Sequence, residues 1–293
     1  LNGNNLYVLN SRISPFLTIY NLSDSSYIQY GNIGNGPGEF IAPSLCEMKD
    51  PGKIGIYSNS MNKLDVFHFK SDTLSLVKTF HFPLWNKQRG IPKAYTRLVQ
   101  YNDSLFIGTS FMPKEISVEL MNLKTEKVVD CADFPLKPEE EEYSGPYECK
   151  IATGTNFMVA AYRYINRLEI YRLSAQKFQL KTIIGEANNQ YDLYRLDKDN
   201  EMIFHYSDIV CGENQIYALY QGVKVKELSS ANSKIEVYSY DGTHLHTFDL
   251  GRSIEKILVD ESSMRIYAFD RNEEEDIVIY YTMKKHNMQF KRE

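Results

Sequence analysis

Arginine and aromatic side chains are concentrated in a few polar segments of this sequence, and these residue types are suited to ligand binding. A guanidinium group forms paired hydrogen bonds with carboxylates and phosphates. Aromatic and arginine side chains are also the types enriched at binding hot spots. We predict a recognition role, with no catalytic residue assigned, for Arg12, Trp85, Arg89, Tyr95, Arg97, Tyr162, Arg163, Tyr164, Tyr191, Arg195, His205 and Arg271.

A glycine-rich run, Gly34-x-Gly36-x-Gly38, has spacing similar to that of a phosphate-binding loop. Such a loop needs a strand before it and a helix N-terminus after it. Here Pro37 and Pro43 bracket the start of a new strand, so we interpret the run as a structural turn. The sequence also contains no nucleophile elbow, Walker motif or zinc-protease motif, and hydrolase or nucleotide chemistry therefore has no motif support.

Two short patterns contain residue types that bind metals. His244 and His246 project to the same face of one strand, and Asp197, Asp199 and Glu201 offer oxygen ligands in a loop. We expect the histidine strand to be the outer strand of its sheet, with a solvated face. The acidic loop lacks the central Gly and the distal bidentate Glu of a calcium-binding loop. We therefore predict no metal site and no cofactor.

Composition and charge argue against two classes of function. The chain has 22 Tyr and 15 Phe against one Trp, which favours strands. A net charge of -5 removes the broad attraction to phosphate that nucleic-acid binders need. The longest apolar run, Phe157 to Tyr162, is far too short to cross a bilayer. We predict no nucleic-acid partner and no membrane span, and we interpret the four cysteines, which include no C-x-x-C pair, as buried thiols.

A pair of short apolar segments recurs six times along the chain. The first member is a tetrapeptide such as Ile54 to Tyr57, and the second follows roughly ten residues later with apolar residues alternating with polar ones. This alternation is typical of a strand with one face on a core. The second member begins, at a period of about fifty residues, at Leu17, Leu64, Ile116, Leu168, Ile235 and Ile277.

Further short strands before and after each pair give four strands per repeat. A four-stranded antiparallel sheet of this size cannot cover both its faces alone, so the copies are expected to stack radially. We predict an all-β chain in which residues 1–293 form a single six-bladed β-propeller domain with four antiparallel strands per blade. The first blade lacks an inner strand, and we favour the tail His286 to Lys291 as the outer strand of the last blade.

In such a ring, the loops after the second and fourth strands gather at one mouth of the axis, and loops carry function by default. The predicted ligand-binding residues lie in or beside these loops. The alternative, an enzyme, needs inward-facing acids from several blades. Convergence of at least three of them on one cation would favour that alternative, and the residues to check are Glu47, Glu148, Asp208 and Glu255.

The segment Gly31-Asn-Ile-Gly-Asn-Gly-Pro-Gly-Glu-Phe-Ile-Ala-Pro43 resembles the inter-blade signature of NHL-repeat and TolB-like six-bladed propellers. The glycines permit a backbone reversal, Phe40 is expected to fill the gap between blades, and Pro43 to open the next inner strand. The other junctions retain only Ile184-Gly185-Glu186, so the resemblance does not extend to a shared NHL ligand code.

The resemblance is strongest to TolB-like propellers that are secreted or lipid-anchored proteins of gut bacteria. It implies a periplasmic or cell-surface location after export, with room for a lipid anchor outside the given chain. It also implies binding of a small molecule, a glycan or a protein partner at the mouth of the axis. Six-bladed propellers that act as lactonases, lyases or glycosidases use the same mouth with a metal or paired carboxylates, and this remains the enzymatic alternative.

Overall fold

A computed structural model describes residues 4–50, 52–82, 85–86, 91–92, 95–110, 117–133, 148–174, 176–185, 201–272 and 278–283. The described residues are almost entirely β-structure, with one short 3-10 turn at Val225–Glu227. They form six antiparallel blade sheets of three or four strands, which confirms the predicted fold class. The chain divides into two compact units, Leu1–Ala132 and Asp133–Glu293.

The first unit contains blades 1 to 3. Blade 1 consists of β1 (Asn5–Leu9), β2 (Leu17–Asn21) and β3 (Tyr27–Tyr30). A short parallel pair follows, β4 (Asn32–Ile33) with β5 (Glu39–Phe40). Blade 2 consists of β6 (Pro43–Cys46), β7 (Lys53–Ser58), β8 (Lys63–Lys70) and β9 (Thr73–His81). After the pair β10 (Trp85–Asn86) and β11 (Ile91–Pro92), blade 3 consists of β12 (Tyr95–Gln100), β13 (Leu105–Ser110), β14 (Ser117–Asn122) and β15 (Lys127–Asp133).

The second unit contains blades 4 to 6. Blade 4 consists of β16 (Cys149–Thr153), β17 (Phe157–Tyr162), β18 (Arg167–Ser174) and β19 (Lys177–Gly185). Blade 5 consists of β20 (Ile203–Cys211), β21 (Gln215–Lys224), β22 (Lys234–Ser239) and β23 (His244–Asp249). The described strands of blade 6 are β24 (Ile254–Asp260), β25 (Arg265–Asp270) and β26 (Val278–Thr282).

Apolar clusters lie between successive blades of each unit. In the first unit, Phe40 is buried and packs edge-on against Phe16, with ring centroids 5.3 Å apart, in the cluster shared by blades 1 and 2. This confirms its expected place between blades, and β6 does open at Pro43. In the second unit, blade 5 shares one cluster with blade 4 and another with blade 6. A blade with neighbours on both sides therefore buries both of its faces.

The strand register corrects the predicted repeat in two blades. Glu169 of β18 lies opposite Ala160, and its counterpart in blade 3 is Glu119, opposite Gly108. The third strand of blade 3 is therefore aligned from Val118, two residues later than the predicted Ile116, and that of blade 6 from Val278 instead of Ile277. The loops before these strands differ in length. A period counted along the sequence therefore does not fix the residue at which each strand begins.

Two other expectations need correction. The polar positions of the repeated tetrapeptide do not face water in the middle blades, because Asp65, Glu119 and Glu169 are buried. The four cysteines are free thiols, and Cys46 and Cys149 are buried as expected, whereas Cys131 is exposed on an outer strand. The predicted outer strand His286 to Lys291 lies outside the described residues, and no strand inside β1 is found in the described part of blade 1.

Gly185 at the end of β19 tests how tightly blade 4 is packed. Its φ of +85° is unfavourable for other residues, and an added Cβ would lie 2.0 Å from the carbonyl oxygen of Asn166. We expect Gly185→Ala to lower the free energy of unfolding by more than about 2 kcal/mol, measured by urea denaturation. Gly251→Ala is the matched control, since its φ is +64° but no described atom lies within 4 Å of the new Cβ. Equal losses in the two variants would contradict this account.

Candidate functional site

The backbone brings three polar residues of blades 4 and 5 side by side. The Arg163 N–H donates to the Glu148 carbonyl at 2.9 Å, which extends the ladder between β16 and β17 by one residue. The His205 N–H donates to the Arg163 carbonyl at 2.6 Å, which ties the start of β20 to the end of β17. Together with Phe204, these residues form what we call the Arg163 cluster: Glu148, Arg163, Phe204 and His205.

The Arg163 guanidinium is held in place but only partly satisfied. It lies over the Phe204 ring, 5.0 Å from the centroid, and one Nη1 hydrogen bond of 2.5 Å joins it to Glu148 Oε2. Its Nε is buried and has no hydrogen-bond partner within the described part of the chain. A buried donor left unpaired costs about 1–3 kcal/mol. The guanidinium therefore retains one donor that no described residue uses.

His205 is the second half-buried group of the cluster with unused hydrogen-bonding capacity. Burial lowers the pKa of His205 to about 4, so the imidazole is neutral at pH 7. Its Nδ1 is buried and receives no hydrogen bond from the residues that the structure describes. The Tyr220 ring lies 5.9 Å away, centroid to centroid. The cluster thus pairs one cation with one neutral hydrogen-bonding group.

Arg271 occupies in blade 6 the position that Arg163 occupies in blade 4. Both residues directly follow the second strand, and the Arg271 N–H donates to the Ser253 carbonyl at 2.9 Å just as Arg163 does to Glu148. Arg271 Nε is also buried without a partner among the described residues. The counterpart in blade 5 is Gln221. It lies three residues after Ala218, which pairs with Glu236 as Ala160 of blade 4 pairs with Glu169. We call the end of blades 4 to 6 that carries these three residues the loop end.

Gln221 differs from the two arginines because its amide is fully used within the protein. Its Nε2 donates to Ser207 Oγ at 2.9 Å and to the Ile254 carbonyl at 2.8 Å, and its Oε1 accepts from Ser233 Oγ at 2.9 Å. This position closes blade 5 onto blade 6. At the three equivalent positions of the loop end, the two arginines therefore keep a buried Nε donor without a partner among the described residues, whereas Gln221 does not.

Two predicted ligand-binding tyrosines lie inside their blades. The Tyr162 and Tyr95 side chains are each 1% exposed. The Tyr162 hydroxyl donates to Glu169 at 2.6 Å, and the Tyr95 hydroxyl donates to Glu119 at 2.7 Å. The structure gives both residues a role within the sheets, and their contact with a ligand remains a prediction.

The buried acids that receive these hydrogen bonds are residues that the sequence analysis missed. Glu169 accepts from Tyr162, from Tyr171 at 2.7 Å and from the Arg167 guanidinium at 2.6 Å and 2.8 Å. Glu236 likewise accepts from Tyr238 at 2.8 Å. A recurring pattern of base, apolar residue, acid, apolar residue and aromatic residue marks these strands, and it is readable in Lys63 to Phe67, Arg167 to Tyr171 and Lys234 to Tyr238.

The remaining predicted site residues are spread more widely. Tyr164 packs edge-on against Phe204 at 5.7 Å, beside the Arg163 cluster. Arg12 is exposed, Arg97 is half-buried in β12, and Trp85 lies in β10. Three predicted residues lie outside the described residues: Arg89, Tyr191 and Arg195.

The acids proposed for an enzymatic site have different surroundings. Glu47 and Glu255 are exposed, Glu148 pairs with Arg163, and Asp208 is buried and accepts from the Ile257 N–H at 3.1 Å. Over the described ranges, no group of three or more His, Cys, Asp or Glu residues is placed to hold a metal ion.

The glycine-rich run already contains an anionic group of its own. The Gly36 N–H donates to Glu39 Oε2 at 2.7 Å. A Cβ on Gly34 would lie 2.1 Å from the same oxygen, so glycine at this position gives the carboxylate room. Gly38 turns with a φ of +78°. The segment is a turn closed by its own glutamate, as the sequence interpretation holds.

Comparison with known protein families identifies the family of this chain. The profile described as "TolB-like 6-blade propeller-like" matches residues 2–262. The chain belongs to the TolB-like six-blade propeller family. No curated protein sequence matches this TolB-like chain. No helix in the described residues is long and apolar enough to span a membrane.

Several solved structures resemble this TolB-like chain. A "putative exported protein" from Bacteroides fragilis is 15% identical with a TM-score of 0.56, over 90% of this chain and 76% of that one. A DUF4221 family member from Bacteroides vulgatus is 13% identical with a TM-score of 0.59, over 92% and 84%. A "putative 6-phosphogluconolactonase" from Bacteroides uniformis is 12% identical with a TM-score of 0.54, over 99% and 95%. At these identities the likeness shows the fold.

The depressed pKa of His205 predicts a pH dependence of stability. The folded value of about 4 lies below the ordinary value of 6.5, so the unfolded state binds a proton first as the pH falls. The contribution of His205 to stability is complete well above pH 6.5 and is lost progressively as the pH falls through 4, by about 3 kcal/mol in total. We expect His205→Gln to show a smaller loss than wild type when the free energy of unfolding is measured by urea denaturation at pH 7.5 and pH 4.5.

His246→Gln is the control for this measurement, because His246 is exposed on β23. It should keep the wild-type pH dependence. If His205→Gln and wild type lose the same free energy over this range, His205 is not held neutral in the folded protein.

Proposed function

We propose that this chain is an exported binding module that recognises a small molecule, a glycan or a protein partner through the loop end of blades 4 to 6. The observation that carries the proposal is the pair of buried guanidinium donors, Arg163 Nε and Arg271 Nε, which have no partner among the described residues. A fold that satisfies the neighbouring Gln221 completely but leaves these two donors open is suited to an acceptor supplied by a ligand.

The loop end is also suited to recognition by its rigidity. Arg163 is fixed by a backbone bond on each side, by its ion pair with Glu148 and by the Phe204 ring beneath it. A side chain held in its binding conformation loses little further entropy when a ligand arrives. Tyr164 packs against Phe204 and Tyr220 lies beside His205, which adds two aromatic rings to the edge of the cluster. Recognition by a guanidinium that is already held in place is therefore the mechanism we propose.

Export is supported by the family and by a structural neighbour. The family profile covers most of the chain. The structure from Bacteroides fragilis carries the name of an exported protein. We propose the same location for this chain, in the periplasm or at the cell surface.

The binding function can be tested with a glycan array and a panel of organic acids, followed by calorimetry on each compound that binds. We expect Arg163→Gln and Arg271→Gln each to weaken binding by about tenfold, because each removes a charged hydrogen-bond donor. Arg172→Gln is the matched control, since Arg172 is exposed on β18 of the same blade. Its affinity should equal that of wild type.

Two results would overturn the proposal. One is binding that none of the loop-end variants weakens. The other is conversion of a bound compound into product, measured with and without added Ca²⁺ or Zn²⁺, which would favour the enzymatic alternative.

A further inference from the structure

We infer that the Arg163 cluster binds a carboxylate group of the ligand, with Arg163 Nε and His205 Nδ1 as the two hydrogen-bond donors. The inference deepens the proposed function and rests on it. It assigns a chemical class to the ligand and a role to each residue of the cluster.

The surroundings of Arg163 leave one edge of the guanidinium without an acceptor. The Phe204 ring covers a face of the guanidinium, so further hydrogen bonds must form in the guanidinium plane. Glu148 uses Nη1 and makes a single hydrogen bond, where a carboxylate is able to make two. The Nε edge is buried with no acceptor in the described ranges. An oxygen brought by a ligand completes this side of the guanidinium.

His205 supplies a second donor from the neighbouring blade. A neutral imidazole carries one N–H, and an acceptor at Nδ1 would hold that hydrogen on Nδ1. The backbone bond from His205 N to the Arg163 carbonyl keeps the two residues adjacent. The structure describes no protein acceptor for Nδ1. Arg163 and His205 are thus joined through the backbone, and each has one unused donor for one of the two oxygens of a carboxylate.

The charge of the cluster favours a carboxylate over a phosphate. Arg163 contributes one positive charge, Glu148 one negative charge, and His205 is neutral at pH 7. Inside the cluster the positive charge is already balanced by Glu148. A ligand with one negative charge is therefore repelled less by Glu148 than a phosphate dianion would be.

Substitution of Glu148 tests the inference, because the expected change in affinity has opposite directions for an anionic ligand and for other ligands. If the cluster binds an anion, Glu148→Gln removes a repelling charge but keeps an amide oxygen that can still accept from Arg163. The variant should bind the anion more tightly than wild type. If instead the cluster binds a cationic or neutral ligand, the same substitution should leave the affinity unchanged or reduce it.

The experiment uses the whole chain, titrated with sodium glucuronate, glucose, glucose 6-phosphate or sodium chloride. Binding is followed by the NMR signals of the imidazoles, and the His205 signal is identified by its loss in His205→Gln. We expect glucuronate to shift the His205 signal to saturation, and the other three compounds to give at most a weak, unsaturated shift. Glu148→Gln should tighten glucuronate binding by about threefold or more, and Arg172→Gln should leave it unchanged.

Arg163→Gln should weaken glucuronate binding by about tenfold. Arg163→Lys keeps the charge and loses the Nε donor, so it should also weaken binding and gives a second reading if Arg163→Gln folds poorly. Thermal unfolding of each variant checks that the second unit is intact.

Failure of this inference can be told apart from failure of the proposed function. A saturable response to glucose or glucose 6-phosphate that exceeds the response to glucuronate, no His205 shift with glucuronate, or unchanged or weaker binding by Glu148→Gln would overturn the carboxylate assignment. The proposed function would still stand if another compound from the panel depended on Arg163 or Arg271. It would fall if no loop-end variant affected any bound compound, or if a bound compound were converted into product.

Discussion

Burial of both faces of a blade sheet is the constraint on which the rest of the structure depends. In blade 2, Ile56 lies in the cluster shared with blade 1, and its neighbour Tyr57 lies in the cluster shared with blade 3. In blade 5, Ala218 and Leu219 are divided in the same way between blades 4 and 6. Successive residues of the second strand of a blade thus face two cores, and a run such as β17 is apolar throughout because neither face reaches water.

This constraint decides which polar residues need partners inside the protein. An ionisable group in the middle of a doubly buried strand has no water to bind, so it must be paired or its burial becomes very costly. Glu169 meets the condition with three donors, Tyr162, Tyr171 and Arg167. The high tyrosine content of the chain follows in part from this arrangement, because a tyrosine fills a core with its ring and satisfies an acid with its hydroxyl.

The sequence predicts the fold more fully than the site, and the difference lies in register. A period of about fifty residues identifies the six sheets, but loop length shifts the true start of a strand, as at Val118 in blade 3. The same uncertainty affects the site. Tyr162 and Arg163 are adjacent and both are residue types that favour binding, yet one ends a buried strand and the other begins the loop. Residue type alone cannot separate them, because the last paired position of β17 is fixed by its partner Cys149.

The contrast between Glu169 and Arg163 supports our proposal that the loop end binds an external partner. Both are charged residues of blade 4 with buried polar atoms, and the protein surrounds one with three donors while leaving the Nε of the other unpaired within the described chain. The cost of the unpaired donor is not lowered by mobility, because Phe204 and Glu148 hold the guanidinium in place. In our proposal, a ligand that supplies the missing acceptor removes the free-energy cost of the unpaired Nε donor. The unused Nδ1 of His205, on the adjoining strand, is the second group that this ligand binds.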